Sequence, residues 1–104
     1  MNPAELMREA EPVAAVREGY ELHYGSPEVV ATDDADLALL SGDRLYALGL
    51  EKLAAAGDLE AIAILCETIA ACARAHAEDV PEQAQHAWRD ASLRLARRPE
   101  HSDR

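Results

Sequence analysis

From Ala38 to Gly57 the apolar positions recur at about 100° per residue. Ala38, Leu39, Gly42, Leu45, Tyr46, Gly49, Leu50, Leu53 and Ala56 fall in one stripe, and Asp43, Arg44, Glu51 and Lys52 fall on the other side. That pattern predicts an amphipathic helix. Gly57 ends it, because glycine accepts the left-handed conformation that closes a last turn. Gly42 and Gly49 both lie in the stripe. Each costs a helix interior ~1 kcal/mol relative to alanine, an expense offset where another backbone approaches closely. Leu37, Leu40 and Leu48 lie outside the stripe, around Arg44, and predict a second contact surface or a cover over the N-terminal segment.

Asp58 directly follows Gly57 and caps a second helix. So short a connection predicts antiparallel neighbours. Leu59, Ile62, Leu65, Cys66, Ile69, Cys72, Ala73 and His76 are assigned as its main stripe. The opposite side, with Ala61, Ile64, Thr68, Ala71 and Ala75, carries no charge. A helix apolar nearly all round is usually enclosed on both sides, so Ile64, Thr68 and Ala71 join Leu37, Leu40, Arg44 and Leu48 as the expected partner interface.

Upstream, Asn2, Pro3 and Glu5 read as a helix start. Pro12 interrupts the pattern that follows and predicts a kink or two short helices ending near Gly19. Tyr20 to Thr32 is the least regular stretch, with a turn at Gly25-Ser26-Pro27. Thr32 or Asp33 is the expected cap of the helix that contains Ala38. Downstream, Asp79 with Glu82 predicts a capping box. Val80, Ala84, Ala87, Trp88, Ala91 and Leu95 form one face of a last helix, with Trp88 as its core anchor. Pro99 stops it. The expected fold is all-α: a small bundle of about four to five helices with a central antiparallel pair, one domain over 1–98 and a tail over 99–104.

Composition supports helices. Leucine and alanine dominate, phenylalanine is absent, and β-branched residues are few. Alanine buries little area, so the core of a 104-residue chain is thin, and a partner subunit or self-association would add to it. The net charge of −10 argues against nucleic acid and anionic membranes. No run is long and apolar enough to span a bilayer, and the charged N-terminus lacks the apolar centre of a signal peptide. A cytoplasmic protein is expected. Cys66 and Cys72 are six positions apart in one helix, cannot pair within it, and are expected as buried reduced thiols.

Three constellations have a chemical reading beside a structural one. Asp33, Asp34 and Asp36 are a divalent-cation candidate or the acidic first turn of a helix. Cys72 and His76, four apart, are half of a metal site or core residues. His23 is an acid-base group or a loop anchor. No second half completes a metal site, and no cofactor, metal or catalytic residue is assigned.

The segment L-A-L-L-S-G-D-R-L-Y-A-L-G-L-E-K-L-A-A-A-G-D-L-E-A-I-A-I-L resembles the middle of trans-isoprenyl (polyprenyl) diphosphate synthases. Leu39, Leu40, Gly42, Asp43, Leu45, Ala47, Leu53, Gly57 and Asp58 carry the match, and His23 to Pro27 is similar to the family's preceding His/Gly segment. The resemblance covers Leu22 to Ala75. Catalytic members hold magnesium on two aspartate-rich motifs. Asp33-Asp34-Ala35-Asp36 has a different spacing, and the second motif and the basic diphosphate-binding residues have no counterpart. Two-subunit members pair a catalytic subunit with a small helical one that lacks these motifs. The resemblance therefore implies a noncatalytic small subunit that partners a catalytic polyprenyl diphosphate synthase in isoprenoid biosynthesis. The alternatives are a stand-alone helical interaction module or homodimer, a small metal-binding protein built on the aspartates, and a family fragment without function.

Overall fold

Pro12 opens a helix at its first position. A proline at the first helical position sacrifices only an N–H that has no intrahelical partner there. The computed structural model describes residues 11–25 and 34–98. Glu11 caps α1 (Pro12–Tyr24), its carboxylate accepting from the N–H groups of Val13 at 3.3 Å and Ala14 at 3.1 Å. α1 runs on through Gly19, five residues past the expected end. The predicted start at Asn2 and the turn at Ser26-Pro27 lie outside the described residues.

The chain divides into two compact units, Met1–Ala55 and Ala56–Arg104. In the first, α2 (Ala35–Ala55) is the helix read from the Ala38–Gly57 period. Its cap is Asp34: the side chain accepts from Leu37 N at 3.1 Å and the carbonyl from Ala38 N at 2.9 Å. Thr32 and Asp33, the expected caps, lie outside the described residues. α1 and α2 pack on each other in antiparallel fashion. A β-carbon on Gly19 would meet Gly42 O at 2.8 Å, and one on Gly49 would meet Pro12 O at 2.6 Å. Bare glycine backbones thus set the separation of the pair. Leu45 is fully buried with Ala15 and Leu22, and Ala38 and Leu48 pack against that cluster. Of the predicted stripe, Leu39 and Ala56 depart: both are exposed, and Ser41 is buried.

The second unit is a hairpin of α3 (Leu59–Ala77) and α4 (Pro81–Arg97). Gly57, with φ of +75°, closes the turn after α2 as predicted, and Asp58 caps α3 by accepting from Ala61 N at 3.2 Å. The buried side of α3 is Ala61, Ile64, Leu65, Thr68, Cys72 and Ala75. Leu65 and Cys72 of the assigned stripe are buried as expected, but the buried side is turned from that stripe toward Ala61, Ile64, Thr68 and Ala75. Leu59 is 71% exposed, and Cys66 and Ala73 are exposed as well. With apolar residues nearly all round the helix, periodicity admitted both solutions. The small side chains of the real interior let α4 approach: Cys72 Sγ lies 3.8 Å from Ala84 O.

The turn between α3 and α4 also differs from the capping box expected at Asp79. Val80 is the N-cap of α4, with no side-chain cap bond, and Pro81 begins the helix. Asp79 instead takes φ of +60°, ending α3 in a Schellman motif. Val80 N donates to Ala75 O at 2.8 Å and Asp79 N to His76 O at 3.2 Å. α4 then follows prediction, with Ala84, Trp88 and Ala91 buried. Trp88 is the largest side chain in that interior. The described residues are all-α: four helices, with no strand among them.

Candidate functional site

The predicted second surface divides by burial. Leu37 and Leu40 are 47% and 63% exposed on the first turns of α2, and Arg44 is exposed one turn further on. Leu48 is half-buried, because it packs against the Leu45 cluster. Ile64 and Thr68 are buried and Ala71 half-buried on the α4-facing side of α3. Thr68 Oγ1 donates back to Ile64 O at 2.7 Å, which lets a hydroxyl sit in an apolar interior without an unmet donor. Leu39, missed by the sequence reading, adds a third exposed leucine to the start of α2, and Tyr24 is exposed at the end of α1. The antiparallel register fixed by Gly19 and Gly42 brings Tyr24 level with this part of α2.

The same helix pair carries an aromatic cluster. His23 lies across Gly42, where a β-carbon would collide with its ring. The ring centroid is 5.2 Å from that of Tyr46 and 5.7 Å from that of Tyr24, both tilted. Tyr20 stacks on Tyr24 at 5.3 Å, and Arg17 covers the Tyr20 face at 5.7 Å. His23 Nε2 is 3.0 Å from Asp43 Oδ1, close enough for charge attraction but misdirected for a hydrogen bond. His23 thus bridges the two helices, the anchoring role rather than a free acid-base group.

Gly42-Asp43 and Gly57-Asp58, which carry the resemblance, therefore have local structural work. Gly42 admits the His23 ring and Gly57 takes the left-handed turn. Asp43 faces His23. Asp58 is buried and receives Arg98 Nη1 at 2.5 and 2.6 Å on its two oxygens. The pair joins the first turn of α3 to the residue that ends α4. Arg98 Nε also donates to Leu95 O at 3.3 Å.

Two shallow cavities open on the second unit. One, of about 340 Å³, is lined by Glu67, Asp90, Arg74 and Arg94 with Thr68 and small residues between them. The other, of about 410 Å³, is lined by Arg94, Arg97, Arg98, Glu60, Ala63 and Ile64. Arg94 Nη1 is 3.2 Å from Glu67 Oε1 and 4.0 Å from Asp90 Oδ2.

Among the described residues, no group of three or more His, Cys, Asp and Glu is placed to hold a metal. Asp33 lies outside those residues, and Cys72 and His76 gather no third ligand among them. Neither cysteine is in a disulfide; Cys72 is buried as expected, but Cys66 is exposed, because the buried side of α3 is turned toward Ala61, Ile64 and Thr68. No described helix is long and apolar enough to cross a membrane. No protein-family model, curated protein or solved structure matches the chain.

Proposed function

We propose that the chain acts through protein–protein contact, as a noncatalytic helical interaction protein that docks by the leucine edge at the start of α2. The exposure of Leu37 and Leu40 carries this reading: a helix whose other side is filled by α1 leaves large aliphatic side chains in water. Covering them recovers roughly 25 cal/mol per Å² of apolar surface, and Arg44 beside them supplies a polar rim. A reducing, cytoplasmic setting suits this reading, since the exposed Cys66 is in no disulfide.

Two occupants fit the edge. One is a second copy of the chain, giving a homodimer. The other, supported by the spacing of Gly42-Asp43 and Gly57-Asp58, is a catalytic polyprenyl diphosphate synthase subunit, for which this chain would be the small regulatory partner in prenyl chain elongation. The local roles of those four residues account for their presence without a shared function, so the self-associating module is the simpler reading.

Light scattering after size-exclusion chromatography separates the two, on the protein alone and co-expressed with the polyprenyl synthase of its source. The expected result is a homodimer that Leu40→Asp converts to a monomer with unchanged helical circular dichroism. A mixed complex with the synthase, lost in the same variant, assigns the small-subunit role. A monomer in both preparations overturns the proposal.

A further inference from the structure

We propose that the 410 Å³ cavity between the first turn of α3 and the last turns of α4 is a binding site for a small oxyanion, inorganic phosphate or a phosphate monoester. The chain carries 20 acidic against 10 basic residues, yet three of its arginines, Arg94, Arg97 and Arg98, line this one cavity. The neighbouring cavity shares Arg94, and both carboxylates near that arginine, Glu67 and Asp90, lie on its lining. In the 410 Å³ cavity Arg94 and Arg98 are paired with Glu67 and Asp58, and Arg97 is the cation that this pairing leaves over.

One of the three guanidinium groups is already fixed in place. Asp58 and Leu95 O hold Arg98 through Nη1 and Nε, leaving Nη2. Arg94 meets Glu67 through Nη1 in an exposed pair. A guanidinium has five N–H donors, so each retains donors for a ligand, and the side-chain entropy of Arg98 is lost before the ligand arrives. Arg97 meets no carboxylate among the described residues and offers its whole planar fork, which matches a phosphate in bidentate geometry. Ala63 and the buried Ile64 form an apolar wall, where a charge-assisted bond is screened less than in open water. Glu60 is the one acid among the described residues of the lining. Its negative charge opposes an anion, so it sets a ceiling on affinity and gives the site a second, opposite-signed probe.

The test is a titration of the full chain, followed by amide chemical shifts at fixed ionic strength, with sodium phosphate in one arm and a short alkyl phosphate in the other. Saturable shifts are expected at residues 60–64 and 94–98. Arg97→Gln, on an exposed position that no described contact depends on, is expected to weaken binding by about tenfold, as loss of a bidentate charged pair does. Glu60→Gln is expected to tighten it severalfold. A tighter alkyl phosphate identifies an ester as the ligand class, and equal or weaker binding identifies free phosphate. No saturable shift up to ~20 mM, an affinity too weak to count as a site, overturns the proposal. So does wild-type affinity in both variants.

Discussion

At Gly49 an added β-carbon would lie 2.6 Å from both Pro12 O and Val16 Cγ2; at Gly42 it would lie 2.8 Å from His23 Nε2 and 2.9 Å from Gly19 O. Alanine raises helix propensity by ~1 kcal/mol, but overpacking costs ~1–3 kcal/mol. The Pro12 carbonyl at Gly49 and the Gly19 carbonyl at Gly42 both belong to backbone and cannot swing away, although the His23 ring can turn. Urea unfolding is therefore expected to show Gly49→Ala and Gly42→Ala each losing about 2 kcal/mol. A gain in stability at Gly49 would mean that α1 shifts freely on α2. Gly57 differs from both: nothing lies within 4 Å of its β-position, and its constraint is the positive φ alone. The sequence displayed all three glycines equally, but the reason for each is visible only with the neighbour in view. Asp79 is the converse case. It has the left-handed turn that glycine takes elsewhere, and its side chain made it look like a cap.

Among the elements, α2 was the most legible, because its glycines and leucines admit one period and Gly57 punctuates it. α3 was legible as a helix but not as a face. Alanines, isoleucines and cysteines surround it, and choosing the buried side requires knowing that α4 brings Ala84, Trp88 and Ala91 to it. α1 was misread at its end, since it runs past Gly19 to Tyr24, and its cap, Glu11, is a residue type rarely chosen for that position. The Asp58–Arg98 pair was half legible: the cap could be read locally, its arginine 40 positions away could not. Removing one partner of a fully buried pair costs ~3–5 kcal/mol. Arg98 keeps 18% of its side-chain surface in water, so solvent offsets part of that penalty. Arg98→Ala is expected to lower stability by about 2 kcal/mol. A double-mutant cycle with Asp58→Asn would show coupling between the two sites; additive losses would mean that the cap alone matters.

For the whole molecule, net charge of −10 on 104 residues sets the background. Like charges repel more in a compact chain than in an expanded one, and salt screens them beyond ~10 Å at 0.1 M. The melting temperature is expected to rise as sodium chloride increases from low concentration to physiological strength, since the Asp58–Arg98 pair is too buried to lose as much. A falling melting temperature would show that ion pairs outweigh the repulsion. The leucine edge was legible as leucines outside a stripe, whereas the arginine cavity was not. Arg94, Arg97 and Arg98 fall at the end of one helix, where cations suit the negative pole, and only the fold brings Ala63, Ile64 and Glu60 of α3 opposite them.

The Asp58–Arg98 contact also bears on time. It joins residues at opposite ends of a two-helix hairpin, so it forms only after α3 and α4 have both wound and met. A contact closed that late is expected to leave the rate of assembly unchanged and to slow only the escape from the finished state, which folding and unfolding rates of Arg98→Ala would check. The clasp thus governs how long a folded second unit lasts once made, and with it how seldom the apolar interior around Trp88 is presented to proteases.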